Sequence, residues 1–312
     1  MRRLSIALIA IFVFTFAYTR LDLLYSHKFF DVTGSAQWIW ARHPMSRGIP
    51  IAFFVTRDFD LPPDRYFTKI KIAADPEYTL YFNGQMIAGR RGEDGKFLDV
   101  YDVTKLARDG RNRIVIAARS ANGVGGVIAA VDTRPDFHLL ASDATWNVVR
   151  RWTSDLPLHD PPHRDPPMLL GRPPAGRWNF LSARAGTFMK PATRVVAPLR
   201  AIPVQAALQD ISVIGGVAVA GSHPTPGIAF DFGSGIDARV QLLAAPSPTS
   251  RLVSIRRAYR LEELPPAEGM VESYVFAPGE EVITDPQDHN FRYVMVYGGE
   301  ASARAVKVED RL

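Results

Sequence analysis

The stretch TKIKIAADPEYTLYFNGQMIA, residues 68–88, decides the fold. Its first residues alternate, with Ile70 and Ile72 on one side of an extended chain and Lys69 and Lys71 on the other. A period of two belongs to a strand with one buried face. Tyr78 to Phe82 is a second β-rich run, and Asn83-Gly84 follows it directly. These two residues tolerate the positive φ angles of a two-residue hairpin turn. The chain is therefore predicted to reverse there and return along Gln85 to Ala88.

Outward from this hairpin the pattern repeats. On the N-terminal side lie Trp38-Ile39-Trp40 and Ala52 to Phe59, which Leu61-Pro62-Pro63-Asp64 stops. On the C-terminal side Tyr101 to Leu106 reads as a turn or short helix, and Asp109 to Asn112 as a turn. Arg113 to Ala118 and Val127 to Asp132 read as strands, separated by a bend at Gly123 to Gly126, and Asp143 to Arg151 reads as the last strand of this unit. Short strands at such spacing argue for an antiparallel sandwich. Between 155 and 175 stand Pro157, Pro161, Pro162, Pro166, Pro167, Pro173 and Pro174, which predict an irregular, semi-rigid connector over 155–193. Beyond it β-rich runs resume at 194–204, 210–220, 227–235, 238–244, 252–259, 272–277, 291–297 and 303–308. The expected fold is all-β: two antiparallel β-sandwiches, 36–154 and 194–312, joined by the 155–193 connector.

Composition narrows the function. Of 312 residues 47% are hydrophobic and 22% charged, an ordinary globular balance. There is no cysteine, which excludes a disulfide framework, thiolate metal ligation and a cysteine nucleophile. Lys and Arg number 37 against 32 Asp and Glu, with no basic stripe interleaved with aromatics, so a nucleic-acid partner is not expected.

The N-terminus carries a different signal. Arg2-Arg3 precede an uncharged, mostly apolar run from Leu4 to Tyr18. Roughly 15 residues of helix span about 22 Å, short of a hydrocarbon core near 30 Å. Extension to Tyr25 closes the gap if Arg20 snorkels to the interface. Residues 1–25 are expected to form an uncleaved signal-anchor helix, with 26–35 as a linker. A cleaved signal and a helix buried in the body stay open as alternatives. Arg2 and Arg3 favour a cytoplasmic N-terminus and a body on the far side of the membrane.

Several motifs together resemble a known arrangement. Trp38-Ile39-Trp40, Ala74 to Gly84, Tyr101-Asp102-Val103-Thr104 with Leu106, Gly110-Arg111-Asn112 with Ile114 and Ile116, and Asp143 with Trp146 resemble the galactose-binding-like, jelly-roll carbohydrate-binding module of bacterial α-L-rhamnosidases. Phe230 to Gly233, Glu262-Glu263-Leu264, Ser273-Tyr274-Val275 with Gly279, Pro286 and Phe291 to Val294 resemble the sandwich that precedes their catalytic barrel. The resemblance covers roughly 36–300 and implies non-catalytic modules. In those enzymes a helical barrel carries the catalytic carboxylates, and here the sequence ends at Leu312. Carbohydrate binding is then an analogy, because a fold does not carry its function with it.

Several constellations could carry chemistry. Trp38 and Trp40, two apart in a strand, suit stacking on a sugar or anchoring a core. Asp75, Asn83 and Asp102 offer oxygen ligands to calcium, or turn caps. The Asn122-Gly123-Val124-Gly125-Gly126 loop gives backbone room to a ligand but opens no helix, which argues against a phosphate cradle. His159 and His163, with Asp160 and Asp165 nearby, have a zinc-like spacing, but two intervening prolines exclude the helix that spacing needs. Ser222-His223 with Asp231 is no triad by spacing alone. Glu262-Glu263 and Glu280-Glu281 read as solvated turns, and Arg292 as a locally paired strand residue. No catalytic or metal residue and no resident cofactor is expected, calcium excepted as a low-ranked option. The expected role is a scaffold or accessory subunit of a larger complex in the bacterial inner membrane, with integral-membrane protein partners and an extracytoplasmic body. The alternative is a tethered module recognising envelope polysaccharide, and third comes a remnant glycoside hydrolase.

Overall fold

The structure is a computed structural model. It describes residues 9, 11–17, 33–133, 138–179, 181–189, 194–214, 217–264, 271–286, 288–297 and 301–307, and only the backbone within 206–225. The chain is all-β. In chain order the first strands are β1 (Trp38–Trp40), β2 (Ile51–Leu61), β3 (Thr68–Asp75), β4 (Glu77–Phe82), β5 (Gln85–Arg90), β6 (Phe97–Asp102) and β7 (Gly110–Ser120). Then come β8 (Gly126–Thr133), β9 (Leu140–Ala141), β10 (Asn147–Val149), β11 (Arg151–Thr153), β12 (Met168–Gly171), β13 (Ser182–Ala185) and β14 (Arg194–Val196). The last are β15 (Arg200–Ile214), β16 (Val217–Ala244), β17 (Arg251–Ala258), β18 (Glu272–Phe276), β19 (Val282–Thr284), β20 (His289–Tyr297) and β21 (Ala301–Lys307).

Three sheets result. The first runs β12-β1-β8-β3-β6-β13 with β9 on β8, and the second β10-β2-β7-β4-β5. The third runs β11-β18-β17-β20-β16-β21-β14, with β15 and β19 on β16. All pairings are antiparallel except β13 on β6 and β11 on β18. The hairpin forms as the alternation predicts: β4 and β5 pair, and Asn83 and Gly84 take φ 50° and 84°. Ile70 and Ile72 are fully buried on one face of β3.

The second sheet is buried on both faces. Phe53, Val55, Leu80, Phe82, Ile114 and Ile116 join the core shared with the first sheet. Their neighbours Phe54, Tyr81, Val115 and Ala117 join the core of the third sheet. The run Ile114 to Ala118 is apolar at every position because each parity of side chain has its own core to fill. The two halves are thus joined as layers across a shared middle sheet, and not merely strung on a connector.

Three expectations change here. Of the turn or short helix expected over Tyr101 to Leu106, the turn forms at 104–106, while Tyr101 and Asp102 end β6. The proline-rich stretch is not a free-standing connector. It folds back, adding β12 and β13 to the first sheet and laying Trp178 and Leu181 on that sheet's outer face beside Trp38 and Ile128. Its strands fall at 168–171 and 182–185, which contain no proline, so ladder donors remain. Arg151–Thr153, expected at the end of the first sandwich, instead forms β11 of the third sheet.

The expected anchor falls mostly outside the described residues. Residues 11–17 are helical, and no described helix is long and apolar enough to cross a membrane.

Candidate functional site

A polar cleft of about 230 Å³ opens where the β4–β5 edge of the middle sheet approaches the third sheet. Glu77, Thr79, Arg90 and Arg91 line it from the middle sheet, and Asp237 and Asp288 from the third. Its charges are matched in pairs. Arg91 reaches across to Asp237 at 2.9 Å, Arg239 donates to Asp288 at 3.1 Å, and Arg119 meets Glu77 at 2.9 Å.

Behind the cleft lies a buried ionic network that ties the layers. Arg119, on β7, meets Glu272 of β18 at 3.3 Å and donates to the ring of His289 on β20, 2.9 Å from Nε2. Arg257, on β17, meets Glu272 at 2.5 Å and also pairs with Asp285. Tyr274 donates to Glu272 at 2.9 Å. Burial works against the Glu272 carboxylate, yet Arg257 and Arg119 hold its pKa below the usual value. Burial raises the Glu77 pKa, with Arg119 opposing. Burial drives the His289 pKa well down, reinforced by Arg119 and Arg257. A ring that accepts from a guanidinium must be neutral, which agrees.

Glu272, Asp285 and His289 bring ligand atoms within 4.8 Å of one another, a composition that suits a divalent cation. Two guanidiniums already occupy that place. Arg119 and Arg257 neutralise the carboxylates as a metal would, and an added dication would leave the buried cluster with excess positive charge. The donors present fit an ion-pair network and not a metal centre.

A second buried network sits on the cleft's other flank. The Tyr78 hydroxyl donates to Asp99 at 2.6 Å and lies 2.8 Å from the Tyr101 hydroxyl. Arg184, brought in by β13, donates to Asp99 at 2.6 Å and to Glu93 at 2.9 Å. Neither network was evident in the sequence. The one available signal was charge inside apolar strands, as at Arg119 and Glu272.

The residues singled out from sequence are placed as follows. Trp38 and Trp40 are fully buried, but in different clusters: Trp38 stacks on Trp178, and Trp40 meets Phe53 edge-on. The β1–β12 register shifts between Trp38 and Ile39, which separates them. The glycines at the end of the 122–126 loop make room for these rings, since a Cβ on Gly126 would stand 2.6 Å from Trp178.

Asp75, Asn83 and Asp102 are not gathered. Asp102 pairs with Lys69, six residues from Asp75 along β3, about 20 Å at the rise of a strand. Asp75 accepts from Trp178 Nε1 at 2.9 Å, Asp102 caps Thr104, and Asn83 braces the Arg113 N–H and Asn112. Asn83 and Asp102 act in turns, as turn chemistry predicts, whereas Asp75 is held by a long-range contact. His159 and His163 are exposed, while Asp160 between them is drawn to Arg113, Thr56 and Asn147.

His223 and Asp231 lie eight residues apart on β16, about 26 Å, which rules out a triad. Asp231 instead takes Arg292 at 2.9 Å, Arg200 at 3.0 Å and the Gly233 N–H at 2.8 Å, so Arg292 is locally paired as expected. Glu263 accepts from the Arg260 N–H and Glu280 from the Ala277 N–H, both in turns.

No protein-family model matches the chain, and no curated protein does. Solved structures do. The α-L-rhamnosidase from Dictyoglumus thermophilum superposes with a TM-score of 0.51 at 18% identity, over 88% of this chain and 36% of that one. The chain shares its fold with part of the α-L-rhamnosidases. The GH78 family rhamnosidase of Bacillus sp. GL1 gives a TM-score of 0.53 at 13% identity, over 88% of this chain and 54% of that one. The rhamnosidase-like resemblance seen in the sequence is thus present in three dimensions, across about a third to a half of those enzymes' length.

Proposed function

We propose that this is a non-catalytic contact protein, tethered to a membrane by its N-terminal apolar segment, with its β layers outside the cytoplasm as an accessory part of a larger membrane assembly. One observation carries this reading. The helical residues Phe12, Phe14 and Phe16 are 72%, 74% and 53% exposed, so the described part of this apolar segment buries no phenylalanine in the β body. Solvent-exposed phenylalanines at that density call for lipid or a partner helix. The signal-anchor reading of 1–25 and the positive flank at Arg2-Arg3 agree with it. The cleft carboxylates support the non-catalytic part, since Asp237, Asp288 and Glu77 each face an arginine.

Detergent extraction tests it. The protein should stay in the membrane fraction through an alkaline carbonate wash and, after mild detergent, run on a native gel well above 34.6 kDa with companion proteins. Release by carbonate, or migration as a lone chain, sinks the reading.

The cleft favours a second reading, a galactose-binding-like, jelly-roll module for envelope polysaccharide. Paired acids and arginines at the rim of a small cavity suit the alternating donors and acceptors of sugar hydroxyls. Calorimetry with rhamnose-containing oligosaccharides, with and without calcium, tests that reading, and silence in both conditions removes it.

A further inference from the structure

A groove of about 510 Å³ runs beside β11, away from the polar cleft. It passes beside Val148 and Val149 of β10, whose side chains are buried in the two cores, and its apolar wall is Val275 of β18 with Pro161 and Pro162 of the returning segment. Its rim is cationic, with Arg150, Arg151 and Arg164 against one lining carboxylate, Asp165. Arg151 is exposed and meets no acid among the described residues. Arg164 is half-exposed and shared with Asp160 at 3.3 Å. Arg150 is held by the Arg42 carbonyl at 2.6 Å and stands 3.7 Å from Asp165.

The backbone beside the groove is open on one side. Among the described residues β11 is the terminal strand of the third sheet and pairs only with β18. Trp152 turns inward to the core, which leaves Arg151 and Thr153 to line the groove. The neighbouring edge, β10, is closed by a two-way backbone bridge between Val148 and Asp165. A strand entering here therefore finds an edge that carries no second strand among the described residues, although the Thr153 carbonyl already takes the Leu156 N–H at 3.1 Å, together with an apolar wall and arginines at the rim.

We propose that this groove docks an extended acidic peptide segment of a partner protein, its backbone laid along β11 and its carboxylates on Arg151 and Arg164. Strand addition supplies the backbone bonds, and side-chain pockets at alternate positions supply selectivity. The surplus of positive charge selects acidic sequences and steers their approach. An anionic polysaccharide fits less well, because no Trp, Tyr or Phe is among the described residues that line the groove, so nothing there stacks on a sugar ring. This deepens the contact-protein reading and rests on it. The membrane test can fail while the groove still binds peptide, so the two are separable.

The experiment uses the full chain in mild detergent and a fluorescent Val-Glu-Val-Glu-Val peptide, followed by anisotropy, with its Gln-for-Glu and Lys-for-Glu counterparts. The acidic peptide should bind, weaken as salt rises, and lose about tenfold in affinity with Arg151→Glu or Arg164→Glu. Arg151→Lys should retain most of the binding, and thermal melts should show all variants folded. Absent binding to the folded protein, equal binding of the Gln peptide, or variants without effect overturns the proposal. Tetragalacturonate binding where the peptide does not also overturns it, in favour of an anionic sugar.

Discussion

Trp38 and Trp178, 140 positions apart, stack with ring centroids 4.5 Å apart and planes inclined by 18°. This contact fastens the proline-rich segment to the first sheet, helped by the bond from Trp178 Nε1 to Asp75 at 2.9 Å. Trp178 is 7% exposed, so its removal leaves both a cavity and a buried carboxylate short of a donor.

Trp178→Ala should cost about 3–5 kcal/mol of stability, the range for deleting a buried tryptophan. Gly126→Ala should also destabilise, because its methyl would meet the Trp178 ring. Urea unfolding checks both. A loss below about 1 kcal/mol for Trp178→Ala would mean that the segment is not fastened as described.

Arg119 is expected to matter as much. It bridges Glu77 in the middle sheet to Glu272 and His289 in the third. Truncating one partner of a buried ion network strands the others, at about 3–5 kcal/mol. Arg119→Ala should fall in that range. In a double-mutant cycle Arg119→Ala and Glu272→Ala should be non-additive by about 0.5–3 kcal/mol. Additive losses would show that the layers are held by apolar packing alone.

These two contacts also show how far a sequence carries. The strands were legible wherever a local period fixed them: Ile70 and Ile72 gave one face, and Asn83-Gly84 gave the turn. The sharing of the middle sheet was not, although the unbroken run Ile114 to Ala118 carried its trace. A strand that fills two cores reads like any apolar run. The proline content misled, because prolines mark where a ladder cannot form but do not stop the intervening residues from pairing. The Arg119 network joins residues as far as 170 positions apart, and no local pattern encodes such a meeting. Asp102 is legible as the cap of the turn at Thr104 because a cap is a local event.

The buried histidine gives a pH signature. The folded pKa of His289 lies well below 6.5, chiefly through burial. Above 6.5 both folded and unfolded chains leave the ring neutral. Below it the unfolded chain takes the proton and the folded one does not, so stability falls as pH drops from about 6.5. His43, whose pKa burial also lowers, adds to the same trend. His289→Gln should flatten the slope of the urea midpoint between pH 6.5 and 5. An unchanged slope would assign the effect elsewhere.

A separate signature belongs to Asp231 at lower pH. The Arg292 guanidinium, the Gly233 N–H and Arg200 hold its carboxyl down to about 2, against an ordinary 3.8. A depressed carboxyl contributes stability that is whole above pH 4 and lost as the pH falls toward 2. Asp231→Asn removes the charge, so the stability gap between the native protein and this variant should be widest at neutral pH and should narrow between pH 4 and 2. The effect should be modest and weaken with salt, since Arg200 and Arg292 are 63% and 35% exposed and water screens them. Denaturant midpoints of both proteins across pH 2–5, at low and high salt, measure it. A gap that stays constant through that window would make Asp231 a neutral hydrogen-bond acceptor, and the arginines at its side mere neighbours.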